Sequence, residues 1–165
     1  MRTGVRLGID VGKARVGVAQ SDPHGMLATP VETVPRERPG GSIVRITELV
    51  RELEAIEVIV GLPLNLRGEH TPSTDDAREF AQELAVELAP LNIAVRLVDE
   101  RLSTVSAHSQ LRQAGKRSKQ SRSIIDQAAA VVILQHALDI ERSRGEAAGS
   151  VVETKNETTE GNTAE

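Results

Sequence analysis

The stretch Leu7-Gly8-Ile9-Asp10-Val11-Gly12-Lys13-Ala14-Arg15-Val16-Gly17-Val18-Ala19 decides how the chain is read. Its apolar residues fall in two runs, 5–10 and 15–21, separated by Gly12-Lys13-Ala14. This pattern predicts two β-strands joined by a tight turn. Glycine inside a strand marks a place where another backbone approaches, so Gly8 and Gly17 imply close packing against both strands. Asp10 closes the first run, at the rim of what should be a central strand. An Asp before a glycine turn has an ordinary structural explanation, and alone it is balanced evenly between turn former and functional acid. The stretch is not a dinucleotide fingerprint, because it leads into a strand. Nor is it a phosphate-binding loop, because no Ser or Thr follows Lys13.

Further along, residues 27–34, interrupted by Pro30, predict a third strand at a sheet edge. A loop covers 35–41. Ser42 then reads as an N-cap, with Ile43, Ile46, Leu49, Val50, Leu53 and Ile56 following at helical spacing. Val58-Ile59-Val60 is a buried strand, and 61–68 a loop. Pro72 opens a helix with Ala77, Phe80, Leu84 and Leu88 on one face, and Pro90 ends it. A strand over 93–98 is followed by a helix to residue 114, capped by Gly115. A basic loop occupies 116–122, and the last helix starts at Ser123. From residue 144 onward hydrophobic periodicity disappears. This predicts a domain over 1–143 and a disordered acidic tail over 144–165. The order β-β-β-α-β-α-β-α-α suggests an α/β fold with helices on both faces of a mixed sheet, as in ribonuclease-H-like proteins.

The 165 residues suit one domain and include no cysteine, which excludes disulfides, thiolate zinc sites and a cysteine nucleophile. The four histidines are scattered without an i, i+4 pair. No secretory signal or membrane-length apolar run is evident, so the expectation is a soluble cytoplasmic protein. The net charge of −4 conceals an uneven distribution: residues 141–165 hold six acids and three bases, leaving the remainder almost neutral. Phe80 is the single aromatic residue, so base-stacking platforms cannot be built. A nucleic-acid grip must come from phosphate contacts and shape.

Besides Asp10, two acids attract notice. Asp99 and Glu100 end a strand-like run and point to opposite faces, so only one can join Asp10. Asp126 follows Ser123-Ile124-Ile125, which resembles a capping box with the acid at N3. Yet the small residues Ala128-Ala129-Ala130 would let this helix pack tightly on the sheet and bring Asp126 over the Asp10 strand. Between Glu100 and Asp126 the chain carries Arg101, Arg112, Lys116, Arg117, Lys119 and Arg122 without one acid. A solvated helix would show i, i+4 acid–base pairs, so phosphate contact is the favoured reading. Acids able to gather round a cation beside a basic stretch suggest metal-assisted cleavage of a polyanion.

The opening stretch joins Val60-Gly61-Leu62-Pro63-Leu64-Asn65, Val98-Asp99-Glu100-Arg101-Leu102-Ser103-Thr104 and Asp126-Gln127-Ala128-Ala129-Ala130-Val131-Val132-Ile133-Leu134-Gln135. In this order and spacing they resemble the bacterial YqgF (RuvX-like) family over residues 4–140. The resemblance implies a ribonuclease-H-like fold with a five-stranded mixed sheet. It implies phosphodiester hydrolysis, with 5′-end processing of precursor 16S ribosomal RNA as the bacterial role and Holliday-junction resolution as the alternative. The family's acidic positions fall on Asp10, Glu100 and Asp126.

The leading expectation is therefore a Mg²⁺- or Mn²⁺-dependent nuclease. Asp10, Glu100 and Asp126 would hold metal through hard oxygen ligands. Lys13, Arg15 and Arg101 would contact phosphates near the reaction, and Arg112, Lys116, Arg117, Lys119 and Arg122 the flanking backbone. A non-catalytic nucleic-acid-binding or ribosome-assembly module, and half of an actin-like or sugar-kinase-like ATPase, are the competing classes.

Overall fold

The computed structural model describes residues 2–65, 67–100 and 119–154, with the backbone alone over 119–123. β1 (Val5–Val11) and β2 (Arg15–Ser21) form the expected hairpin, and β3 (Ala28–Pro35) pairs antiparallel with β2. α1 (Gly41–Glu52) leads to β4 (Ala55–Leu62), which lies parallel to β1. α2 (Pro72–Leu88) ends in a short 3₁₀ turn (Ala89–Leu91), and β5 (Ala94–Asp99) follows, parallel to β4. α3 (Lys119–Arg144) precedes the short β6 (Ser150–Val151), antiparallel to β5. The strand order is β3-β2-β1-β4-β5-β6. Pro30 sits on the β3 edge, as predicted, where the register shifts opposite Val18 and Ala19.

Two faces are buried. Leu7, Ile9, Val16, Val18, Val58, Val60 and Val95 pack against α1 and α2, through residues such as Ile46, Phe80 and Leu84. On the other face Ala19, Ile59 and Val98 meet Ala130, Ile133, Leu134 and Ala137 of α3. This is the two-sided burial expected of a sheet with parallel central strands.

Four sequence expectations are corrected. The sheet has six strands, not five. The sixth comes from the stretch assigned to the tail: Gly145 and Gly149 adopt φ of 79° and 72°, turning the chain back along β5. Val152 N–H then donates to the Val95 carbonyl at 2.8 Å, and Arg96 Nε to the Ala148 carbonyl at 2.7 Å. Ala148 is buried, so the folded domain reaches at least residue 154, and only 155–165 of the predicted tail lie outside the described residues. Ser42 does not cap α1. The cap is Gly40 at φ 75°, a left-handed conformation natural to glycine, and Ser42 is buried inside the helix. Finally, α3 begins at Lys119 rather than Ser123. Lys, Gln and Arg are good helix formers, and no Gly or Pro over 119–122 stops them.

At the end of the α3 face opposite the end of β1 that carries Asp10 lies a cluster of charge, with Arg6, Glu57 and Glu141 buried and Arg2 exposed over them. Arg2 donates to Glu141 at 2.7 and 3.0 Å and to Glu57 at 3.0 and 3.1 Å. Arg6, itself buried, donates to Glu141 at 3.2 Å. The Arg2 guanidinium, helped by Arg6, holds the Glu141 carboxyl down at about 2. This cluster ties the N-terminal residues, β1, β4 and the end of α3 together.

Candidate active site

Strand alternation determines which side chains meet α3. Gly8 faces the helix, and so does Asp10, two residues on. Asp10 lies directly opposite Gly17 in the β1–β2 pairing, so these two point to the same side. A Cβ on Gly17 would stand 2.5 Å from the carbonyl carbon of Asp126 and would overlap its oxygen. A Cβ on Gly8 would come within 2.6 Å of the Leu134 side chain and 2.9 Å of the Ala130 carbonyl oxygen. The two glycines thus form a seat that only a bare backbone provides, and the seat sets Asp126 over the Asp10 strand. This is the close packing predicted from Gly8, Gly17 and the alanines of α3.

Asp126 therefore lies about two turns into the helix, away from the orphan N–H groups of its start. The capping-box reading fails for that reason. Glu100 follows β5 directly, on the face shared with Val98, and is buried. Gly61 of β4 makes room for it, since a Cβ there would lie 2.9 and 3.0 Å from the Glu100 Cγ and Cδ. Asp99, one residue earlier, alternates to the opposite face.

Asp10, Glu100 and Asp126, drawn from three distant segments, line one cavity of about 450 Å³. It opens beyond the carboxyl ends of β1, β4 and β5, where open α/β sheets hold their ligands. Lys13 lines it too. Arg15 donates from Nε to Asp126 Oδ2 at 2.8 Å. Lys119 and Arg122 lie at the start of α3. Arg101, Arg112, Lys116 and Arg117, together with the predicted helix ending at residue 114, fall outside the described residues.

Sequence reading missed one acid of this cavity, Asp76. α2 is capped by a reciprocal Thr71–Thr74 box with Pro72 behind the cap, and Thr74 also donates to the Pro63 carbonyl. This fixes the helix start beside the cavity. Asp76 accepts a bidentate pair from Arg36 at 2.8 and 3.0 Å, which lowers its pKa and raises that of Arg36. The signal in the sequence was the tandem Asp75-Asp76 after a proline-led helix start, but nothing there showed which of the two turns inward.

Hard oxygen donors on one cavity are the set that Mg²⁺ or Mn²⁺ takes, and the Gly61 cradle leaves space for the Glu100 arm. In donor type the residues suit a divalent ion. Among the described residues no three acids stand close enough together to share one ion.

Residues 4–140 match the family model described as RuvX: Holliday junction resolvase. The chain belongs to this family. It is a nuclease family, hydrolases acting on phosphodiester bonds. A Leifsonia xyli relative is 59% identical over 94% of this chain and 98% of its own length. A Streptomyces avermitilis relative is 54% identical over 93% and 97%. Both carry the name "Putative pre-16S rRNA nuclease". Among solved structures, Thermus thermophilus RuvC in complex with a Holliday junction substrate matches with a TM-score of 0.56 at 14% identity, over 90% of this chain and 99% of that one. That likeness establishes the ribonuclease-H-like fold for this RuvX-family chain. Among the described residues no helix is long and apolar enough to cross a membrane.

Proposed function

We propose that the chain is a divalent-metal-dependent nuclease in which Asp10, Glu100 and Asp126 act as one unit, and that its substrate is precursor 16S ribosomal RNA, cut toward the mature 5′ end. The observation that carries this is the convergence of the three acids on one cavity at the carboxyl ends of the central strands. The names of the relatives supply the substrate. Asp10, Glu100 and Asp126 would hold the metal, which when bound lowers the pKa of water and offsets charge on the scissile phosphate. Lys13, on the same wall, offers its ammonium to a phosphate oxygen. Arg15 holds the Asp126 carboxylate in one orientation, and a phosphate or ion drawing either partner away would release the other. The basic segment 101–122 would grip flanking backbone by charge, consistent with a chain that has one aromatic residue. The family description favours branched DNA as the second substrate to assay.

Asp10→Asn, Glu100→Gln and Asp126→Asn test the unit. Each keeps size and removes one charge; Asp126→Asn also gives up the partly exposed Arg15 pair, which contributes little to stability, so folding should hold. Cleavage of precursor ribosomal RNA should collapse in each, and a double variant should be little worse than a single one. Chelation of metal from the parent protein should reproduce the loss. Parental cleavage by Asp126→Asn would refute the site.

A further inference from the structure

Lys13 stands in the turn between β1 and β2, and the carbonyls on both sides of it accept hydrogen bonds from one residue, Arg36. The Arg36 backbone N–H donates to the Ala14 carbonyl at 2.9 Å, and its Nη1 to the Gly12 carbonyl at 2.7 Å. The same guanidinium forks onto Asp76, at 2.8 and 3.0 Å, and lies 5.4 Å from the centroid of the Phe80 ring. Arg36 directly follows β3, so three elements meet at this one side chain: the end of β3, the β1–β2 turn and α2. Neither partner is deeply buried; their side chains are 23% and 32% exposed. An exposed ion pair of this kind contributes little to stability. Its geometry is nevertheless specific, because a planar guanidinium can satisfy a carboxylate fork and a carbonyl together.

We propose that Arg36 is a positioning residue: by holding the carbonyls on both sides of Lys13 it aims that lysine into the cavity, and Asp76 locks Arg36 in that pose. The inference rests on the nuclease reading, in which Lys13 meets a phosphate of the substrate. Asp76 has a second effect. Paired with Arg36, its charge is offset; released, it would face the incoming polyanion.

A double-mutant cycle on the full chain tests this, with kcat and KM measured on precursor ribosomal RNA. Lys13→Ala should lower kcat/KM, and Arg36→Ala should reproduce the same split between kcat and KM, with a loss of about ten- to a hundredfold. In the Lys13→Ala background, Arg36→Ala should have almost no further effect, since the residue it aims is gone. Arg36→Lys should fail to rescue, because an ammonium cannot bridge the fork and the carbonyl. Asp76→Asn, which keeps the shape of the anchor, should give a smaller loss of the same kind with an unchanged melting temperature. It carries the test if Arg36→Ala does not fold. Losses that multiply in the cycle, or full rescue by Arg36→Lys, would overturn the inference. Asp10→Asn in the same assay separates the two levels. If it is inactive while the Lys13 and Arg36 losses multiply, the positioning role alone falls. If it remains active, the three-acid site falls, and with it the cavity into which Lys13 is aimed.

Discussion

Gly17→Ala adds one methyl group at the seat of α3, and the structure sets what it must displace. The new Cβ would stand 2.5 Å from the carbonyl carbon of Asp126 and 3.2 Å from the amide nitrogen of Gln127. Carbon atoms pack at about 3.5–4.0 Å, so the gap must open by roughly 1 Å. The obstructing atoms belong to a helix backbone and cannot rotate aside, so α3 has to lift or β2 has to bend. Overpacking of this sort costs about 1–3 kcal/mol. The lower unfolded-state entropy of alanine returns only about 0.4–1 kcal/mol. For a chain of this size the net loss lowers the melting temperature by about 2–4 °C per kcal/mol. The effect on catalysis should be larger, because a displacement of about 1 Å in a reacting group reduces rates about a hundredfold. Without Trp or Tyr, unfolding is best followed by far-ultraviolet circular dichroism or calorimetry, alongside cleavage of precursor ribosomal RNA. Gly41→Ala is the control, since its nearest neighbour outside the local backbone is the Arg38 Cβ at an ordinary 3.6 Å. It should leave cleavage unchanged and hold or slightly raise the melting temperature, through the same entropy gain of about 0.4–1 kcal/mol. A Gly17→Ala protein that melts and cleaves like the parent would refute the seat. One that melts lower but cleaves normally would show that the height of Asp126 above β1 is unimportant.

Three further outcomes are expected. Truncation after Arg142 removes β6, the buried Ala148 and the Arg96 hydrogen bond at 2.7 Å, so it should cost about 1–3 kcal/mol while truncation after Thr154 costs nothing; equal melting temperatures would restore the shorter domain. Glu141 has a pKa depressed to about 2 by Arg2 and Arg6, so its contribution is complete above the unfolded carboxyl pKa of about 4.3 and fades as pH falls toward 2; on the order of 3 kcal/mol should be lost across that window, and Glu141→Gln should flatten the acid limb of denaturation curves. Replacing Lys116, Arg117, Lys119 and Arg122 with Ala should weaken binding across sequences and flatten the slope of log affinity against log salt by up to about 0.9 per lost duplex phosphate contact; an unchanged slope would mean a merely solvated segment.

Local signals recovered most of the fold. Gly8, Gly17 and the alanines of α3 foretold a helix pressed onto the β1–β2 hairpin, and Pro30 foretold an edge strand. Three features were not legible, each for a different reason. Ser123-Ile124-Ile125-Asp126 carries the residues of a capping box, but a helix continues upstream wherever nothing stops it, and 119–122 hold no breaker. β6 is two residues long and is held by backbone hydrogen bonds and a single buried alanine, so neither composition nor periodicity reveals it. Asp76 depends on Arg36, forty residues away, and a pairing at that separation leaves no trace in a local pattern. For the candidate site, position along the chain drew notice to Asp10 and Asp126 but left each with an ordinary turn or cap explanation, strand parity reduced Asp99 and Glu100 to one, and the family resemblance pointed to Asp10, Glu100 and Asp126 together.

The charges round Glu141 have a mechanical consequence. They clamp one end of α3, while Asp126 rides nearer the other, fifteen residues and about 22 Å away along the axis. The helix is thus a beam rooted in Arg2, Arg6 and Glu57, its far tip, with Asp126, resting on the Gly17 seat. A tilt of about 3° at the root carries the tip through about 1 Å, the same displacement by which a misplaced catalytic group loses most of its rate. Substitutions among these distant charges should therefore tune the enzyme by angle, without touching any residue that meets the substrate.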